Sequence, residues 1–218
     1  MTQHLKRYLA MTLIGCVMVS LCMIVNTAGT DSTHALQAPN LKHVLGTDQL
    51  GRDFFTRLLI GSGVTLGLTA IVMVLSILIG LTLGLVAGIE RKWIDKGCMF
   101  IADMLLAIPS FIIALVILSL MSNSMTGLIF ALTLGWVGRY LRYFRNLTRD
   151  IQKRPFITYA VLSGNSIFKT TVTHIIPHLV SNILALVTAD FGKIMLSISG
   201  LAFLGLGIQP PTPELGTI

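Results

Sequence analysis

Asp190 and Lys193 stand three residues apart inside residues 175–199, a run otherwise apolar enough to cross a bilayer. On a helix that spacing puts carboxylate and ammonium on one face, where each lowers the other's cost of burial without removing it. Ionisable groups at that depth line a solute path or brace helices, and both roles stay open for this pair. Asp103 poses the same question within residues 97–121. It must face protein or water, either paired with a basic residue near the inner membrane face or on a transport path. Pro109, in the same stretch, frees the carbonyl four residues before it, which kinks a helix and gives a gate a place to bend. His174 and His178 are spaced to offer two imidazoles on one helix face. Without a third ligand, hydrogen bonding at an interface is a simpler use for them than metal.

Other chemistry is excluded by what the chain lacks. No GxxxxGK[ST] phosphate loop occurs, so ATP is expected to be bound by other subunits and no cofactor by this one. No nucleophile–base set marks a catalytic residue, and no ligand cluster marks a metal site. Cys16, Cys22 and Cys98 form no disulfide framework. The 218 residues are 54% hydrophobic and 11% charged, against roughly 25% charged in soluble domains. The composition is that of a membrane protein. The net charge of +7 reads as the cytoplasmic bias of Lys and Arg rather than as a nucleic-acid surface.

The elements that must position these groups follow from hydropathy. Residues 1–26 make a first span behind Lys6 and Arg7, and an uncleaved span fits better than a signal peptide cut near Ala28. Residues 45–60 read as an amphipathic helix on the outer face. Thr47 or Asp48 would cap it, Leu50, Phe54, Phe55, Leu58 and Leu59 would form its apolar side, and Asp53 would pair with Arg57. Residues 64–89 span next, with Gly80, Gly84 and Gly88 on one face for close helix packing, within the chain or between subunits. Residues 97–121, 126–141 and 175–199 supply three more spans, with an inner loop at 90–96 and an outer turn at 122–126. Arg139, Arg142, Arg145 and Arg149 share a face and read as anchors to lipid headgroups, ahead of the acidic surface of a partner. On this topology Lys42, Arg52 and Arg57 lie outside and Lys193 within a span; the other basic residues lie inside, placing the N-terminus in the cytoplasm.

The polar interval 139–178 is the longest between apolar segments. Its residues 155–177 resemble the EAA loop of binding-protein-dependent ABC importer permeases. Thr158, Tyr159 and Ala160 stand in the first triplet, Gly164 in the glycine place, His174 at the first aliphatic position, and Ile176 and Pro177 at the end. The glutamate of that pattern is absent. Leu45-Gly46-Thr47-Asp48 with Gly51-Arg52-Asp53 resembles the outer motif of the peptide and nickel permease subfamily. Residues 103–110 and the stretch 202–213 are similar to its third-span motif and the motif after its fifth span.

The resemblance implies an all-α, polytopic membrane protein with the type I ABC importer transmembrane fold, a single domain over 1–218 with five of six expected spans visible. It implies a second homologous permease, two cytoplasmic ATPases and an extracytoplasmic solute-binding protein as partners. It also implies a coupling loop that turns at Gly164, with Tyr159, Ala160, Leu162, Ile167, Phe168 and Pro177 meeting one ATPase. An aspartate at position 164 would clash at the turn. Asp103, Pro109, Asp190 and Lys193 become candidates for path or gate. The expected solute is nickel or a metal chelate, somewhat ahead of di- or oligopeptides. A membrane scaffold or sensor whose basic loop holds a soluble partner is the alternative.

Overall fold

The computed structural model describes residues 34–90, 92–121, 124–208 and 212–218. The expected first span and its signal-peptide alternative lie outside the described residues, as do Arg91, Ser122, Asn123 and residues 209–211. In order, the helices are α1 Phe54–Ile89, α2 Trp93–Ala107, α3 Ser110–Leu120, α4 Met125–Gln152, α5 Pro155–Leu162, α6 Ile167–Thr170 and, after a π-helical turn at Thr171–Ile175, α7 Ile176–Phe203. Among the described residues there is no strand, only an isolated bridge between Thr47 and Asp53.

Among the described residues, two helices are long and apolar enough to cross a bilayer: α1, and the continuous 37-residue helix Ile167–Phe203. The pair α2 and α3 makes a third if taken as one broken span. The expected kink at Pro109 is in fact a break, with the two axes 87° apart. Ile108 is pushed into the extended region (φ −115°, ψ 133°) by the proline ring after it, and Pro109 itself leaves helical geometry (ψ 133°). The expected span 126–141 is the first half of α4, whose second half carries the four arginines. α4 is less apolar over its length because of that arginine-rich second half, while its inner face forms the core of its unit, burying Leu128, Leu132, Trp136, Tyr140, Leu141 and Phe144 among others.

The molecule divides into two compact units, residues 70–194 and residues 34–69 with 195–218. Within the first, α1 lies against α4. A Cβ on Gly84 would stand 2.8 Å from Leu141 O and 2.9 Å from Arg145 N, and one on Gly88 2.6 Å from Thr148 Cβ. Gly80 faces Tyr140 and Leu141 in the same way. The glycine stripe therefore packs within the chain. α4 has its own small residues facing the broken pair, Gly135 against Ser110 and Gly138 against Ala102 and Leu105.

The other unit corrects the reading of 45–60. Helix α1 begins at Phe54 and runs on without interruption through Gly61, so no separate amphipathic helix lies there. Gly61 is a contact rather than a breaker, since a Cβ there would stand 3.3 Å from the Glu214 backbone. Neither Thr47 nor Asp48 caps the helix: Asp53 does, accepting from Thr56 N at 2.8 Å. Its expected partner Arg57 turns to Asp48 (3.3 Å), leaving Asp53 to His43 (2.9 Å). Burial pushes the Asp48 carboxyl up, but the amides of Arg52 and Leu50 and the Arg52 guanidinium outweigh it and hold the group below its ordinary value. Asp53 is lowered likewise, burial being outweighed by Thr56 and His43. Glu214 is fully buried in this unit, with its oxygens taking hydrogen bonds from Thr65 (2.9 Å), Ser199 (3.3 Å) and the amide of Gly216 (2.9 Å).

Candidate functional site

All of the expected path and coupling residues lie within residues 70–194. The four arginines of α4 leave its flank at intervals of three and four, and each meets an aspartate from another element. Arg145 grips both oxygens of Asp95, in the first turn of α2, through Nε (2.8 Å) and Nη2 (2.9 Å), while Arg149 Nη2 adds a third bond at 2.6 Å. Arg142 pairs with Asp103, but the two side chains are 43% and 62% exposed. Arg139 Nε donates to Asp190 Oδ2 at 3.0 Å.

Where the sequence reading offers these arginines lipid headgroups, each also has a carboxylate partner within the chain. Helix packing brings carboxylates 50 to 54 residues away in sequence onto the same flank, and a buried or half-buried guanidinium is better satisfied by a carboxylate than by a distant headgroup. Lys193 does reach Asp190 (3.3 Å to Oδ1), as its spacing predicts, but Arg139 completes a set of three whose carboxylate is 0% exposed. The Arg139 guanidinium also lies 6.0 Å from the Trp136 ring, itself stacked on Tyr140. The buried Trp136 Nε1 and Tyr140 OH have no hydrogen-bond partner among the described residues.

The second group is the helix–turn–helix at 155–177. Pro155 opens α5, where a missing amide hydrogen costs nothing. The helix closes on Gly164 at φ +84°, with Gly164 N bonded to Val161 O (3.0 Å) and Asn165 N to Ala160 O (3.2 Å), a Schellman stop. Ser166 then caps α6 through Lys169 N. A Cβ at Gly164 would meet nothing within 4 Å. The expected clash of an aspartate is therefore absent, and the constraint at 164 is the positive φ, which penalises β-branched residues most and Asp or Asn least.

Ile157 is buried, and Phe156 stacks on His178 (5.3 Å between ring centres) and meets His174 edge-on (6.2 Å), fixing α5 to the start of α7. His178 Nδ1 donates to the His174 carbonyl (2.9 Å), so the two histidines serve packing. The opposite side of the element is bare: Tyr159, Leu162, Ile167 and Phe168 are all strongly exposed, Leu162 at 77% and Phe168 at 79%. Between α5, α6 and the end of α4 runs a groove of about 430 Å³, lined by Gln152, Ile157, Val161, Thr170 and Ile175 among others. Pro177 follows the π turn, in which Ile176 N reaches back to Thr171 O. That wider turn makes room for a ring which an α-helix at this point would not tolerate.

Residues 80–218 match the binding-protein-dependent transport system inner membrane component. The chain belongs to that family. This permease is 34% identical to the nickel transport system permease protein NikC of Escherichia coli over 188 residues, 86% of this chain and 68% of that one. It is 32% identical to the glutathione transport system permease protein GsiD of Pectobacterium atrosepticum, over 84% of this chain and 60% of that one. It is 33% identical to the dipeptide transport system permease protein DppC of Alkalihalophilus pseudofirmus, over 87% and 62%. The chain is an ABC importer permease subunit of the peptide and nickel subfamily, a multi-pass inner-membrane protein that works with ATPase and binding-protein partners.

The sequence singles out Asp103, Asp190 and Lys193 but not their partners Arg142 and Arg139, nor the Asp95 cluster with Arg145 and Arg149, nor the packing of Phe156 on His174 and His178. The available signal was the match between two aspartates in apolar surroundings, Asp103 and Asp190, and an arginine series at helical spacing.

Proposed function

We propose that this chain is one of two homologous permease subunits that pass a small solute inward by alternating access, with its N-terminus in the cytoplasm. Two cytoplasmic ATPase subunits supply the energy, and an extracytoplasmic binding protein delivers the solute. Nickel, carried as the ion or as a chelate, is the favoured cargo and a di- or oligopeptide the next; similarity to nickel, glutathione and dipeptide permeases supports that range.

The observation that carries the reading is the bare apolar side of α5 and α6. Tyr159, Leu162, Ile167 and Phe168 project around a Schellman turn whose other face is bolted to α7 through Phe156. A short helix presenting large apolar side chains is the form that enters a groove on a partner, and its rigid base passes the partner's motion to α7. Path and gate are assigned to Asp190 and Lys193, to Asp103, and to the break at Pro109.

The test is ATP-dependent uptake by the co-expressed complex. Gly164→Val forces a β-branched residue to φ +84° and is expected to reduce uptake at least tenfold with membrane insertion retained, whereas Gly164→Asn keeps most of it. Equal uptake by the Val variant and wild type would remove the coupling role from this turn.

A further inference from the structure

Residues 34–50 turn the usual polarity of an exposed loop inside out. Their hydrogen-bonding groups are met from within: Leu36 N donates to Asp48 O (3.1 Å), Gln37 N to Thr47 Oγ1 (2.8 Å) and Thr47 N to Gln37 O (3.2 Å). Asn40 Oδ1 accepts from the amides of Lys42 and His43, both at 2.9 Å. Asp48 is turned inward to Arg52 and Arg57. What faces outward is aliphatic: Leu36, Leu41, Val44, Leu45 and Leu50 are exposed, Leu41 completely. Leu36 is held there at φ +53°, a region that residues other than glycine rarely adopt. An aliphatic surface displayed at the cost of backbone strain points to apolar surroundings.

Composition and position say which surroundings. Contacts between proteins are carried by Trp, Tyr and Arg, with Leu and Val under-represented, and residues 34–50 contain no aromatic residue and no arginine. Lys42 is the one Lys, Arg, Asp or Glu side chain that they expose. Aliphatic side chains with a lysine at their edge suit the boundary between acyl chains and headgroups, where the ammonium reaches the phosphate layer. The loop also lies at that depth. α1 has 36 residues, about 54 Å of helix against about 40–45 Å for a bilayer with its headgroups, so its first turn stands in or just outside a headgroup layer. Residues 34–50 are tied to that turn by Phe54 N on Gly46 O (3.1 Å) and by Arg57 on Asp48 (3.3 Å).

We propose that residues 34–50 are a membrane-surface anchor, with Leu36, Leu41, Val44 and Leu45 entering the phospholipid leaflet at the start of α1 and Lys42 meeting its phosphates. A rigid loop, and not the helix expected at 45–60, then fixes the depth at which α1 begins. That the leaflet is the outer one rests on the proposed orientation of the permease; the contact with lipid does not.

The test uses the full chain with its three cysteines replaced by alanine, in phosphatidylcholine nanodiscs, carrying a fluorophore at Leu41→Cys, Val74→Cys or Ser163→Cys. Lipids with a nitroxide near the top of the acyl chain should quench the Leu41 site at least twice as strongly as lipids with one near the chain end. Val74, exposed near the middle of α1, should show the reverse order, and Ser163, in the exposed coupling turn, should be quenched little by either. Adding Leu36→Asp and Val44→Asp should at least halve the quenching at the Leu41 site and leave that at Val74 unchanged.

A Leu41 site quenched no better than Ser163 overturns the proposal. So does quenching that the two aspartates leave intact, since the fluorophore and not the loop then seeks lipid. Loss of quenching when the second permease is assembled, or when a binding protein docks, also overturns it, because the surface then belongs to that partner. Orientation is scored separately, by labelling with a membrane-impermeant maleimide. Lipid contact with reversed labelling overturns the orientation alone, and expected labelling without lipid contact overturns the anchor alone.

Discussion

At the scale of single residues, Asp95 and Asp103 look alike in the sequence, each a carboxylate in α2 with an arginine for partner, yet their surroundings separate them. Asp95 accepts three charge-assisted bonds, with side chains only 11% to 29% exposed across the cluster, whereas Asp103 and Arg142 meet in the open. Removing one partner of a shielded pair strands the other, at about 3 kcal/mol, while an exposed pair contributes less than about 1 kcal/mol. Asp95→Asn is therefore expected to lower the Tm in detergent clearly, and Asp103→Asn barely. Comparable shifts in the two would show that exposure does not set their worth. The sequence made Asp103 conspicuous because it lies deep in an apolar stretch. Asp95 sat among charged neighbours at the membrane edge, and nothing local showed that two arginines 50 and 54 residues away would close on it.

Among elements, the contact between α1 and α4 is set by backbone approach. A methyl at Gly84 would press on Leu141 O and Arg145 N, atoms that cannot turn aside, whereas one at Gly67, earlier in the same helix, meets nothing within 4 Å. Gly84→Ala should cost about 1–3 kcal/mol by overpacking, and Gly67→Ala should be neutral or up to about 1 kcal/mol stabilising from helix propensity. Thermal unfolding of the two variants checks this, and a destabilised Gly67→Ala with an unaffected Gly84→Ala would overturn it. The stripe of Gly80, Gly84 and Gly88 was legible from spacing alone. The start of α1 was not, because Gly61 and Gly63 look like breakers until Glu214 is seen against the helix. Nor was the width of the bend at Pro109: a proline announces a disturbance but not whether the chain resumes its direction.

For the whole molecule, class and family could be read from hydropathy and a few spaced motifs, and the comparisons agree. Membrane orientation is a separate matter, tested by placing single cysteines in a chain with Cys16, Cys22 and Cys98 replaced by alanine. A membrane-impermeant maleimide should label Lys42→Cys in intact spheroplasts and Ser163→Cys only in inverted vesicles; the opposite pattern would reverse the topology. What hydropathy could not supply was the set of long-range ion pairs, since an arginine's partner is chosen by folding and not by neighbourhood. Those pairs also impose an order in time. As α4 leaves the ribosome, Asp95 and Asp103 have already been made and can receive Arg145, Arg149 and Arg142 at once, but Asp190 is still 51 residues away from Arg139. Synthesis therefore neutralises the C-terminal arginines of α4 early and leaves Arg139, at its middle, without its carboxylate until α7 arrives.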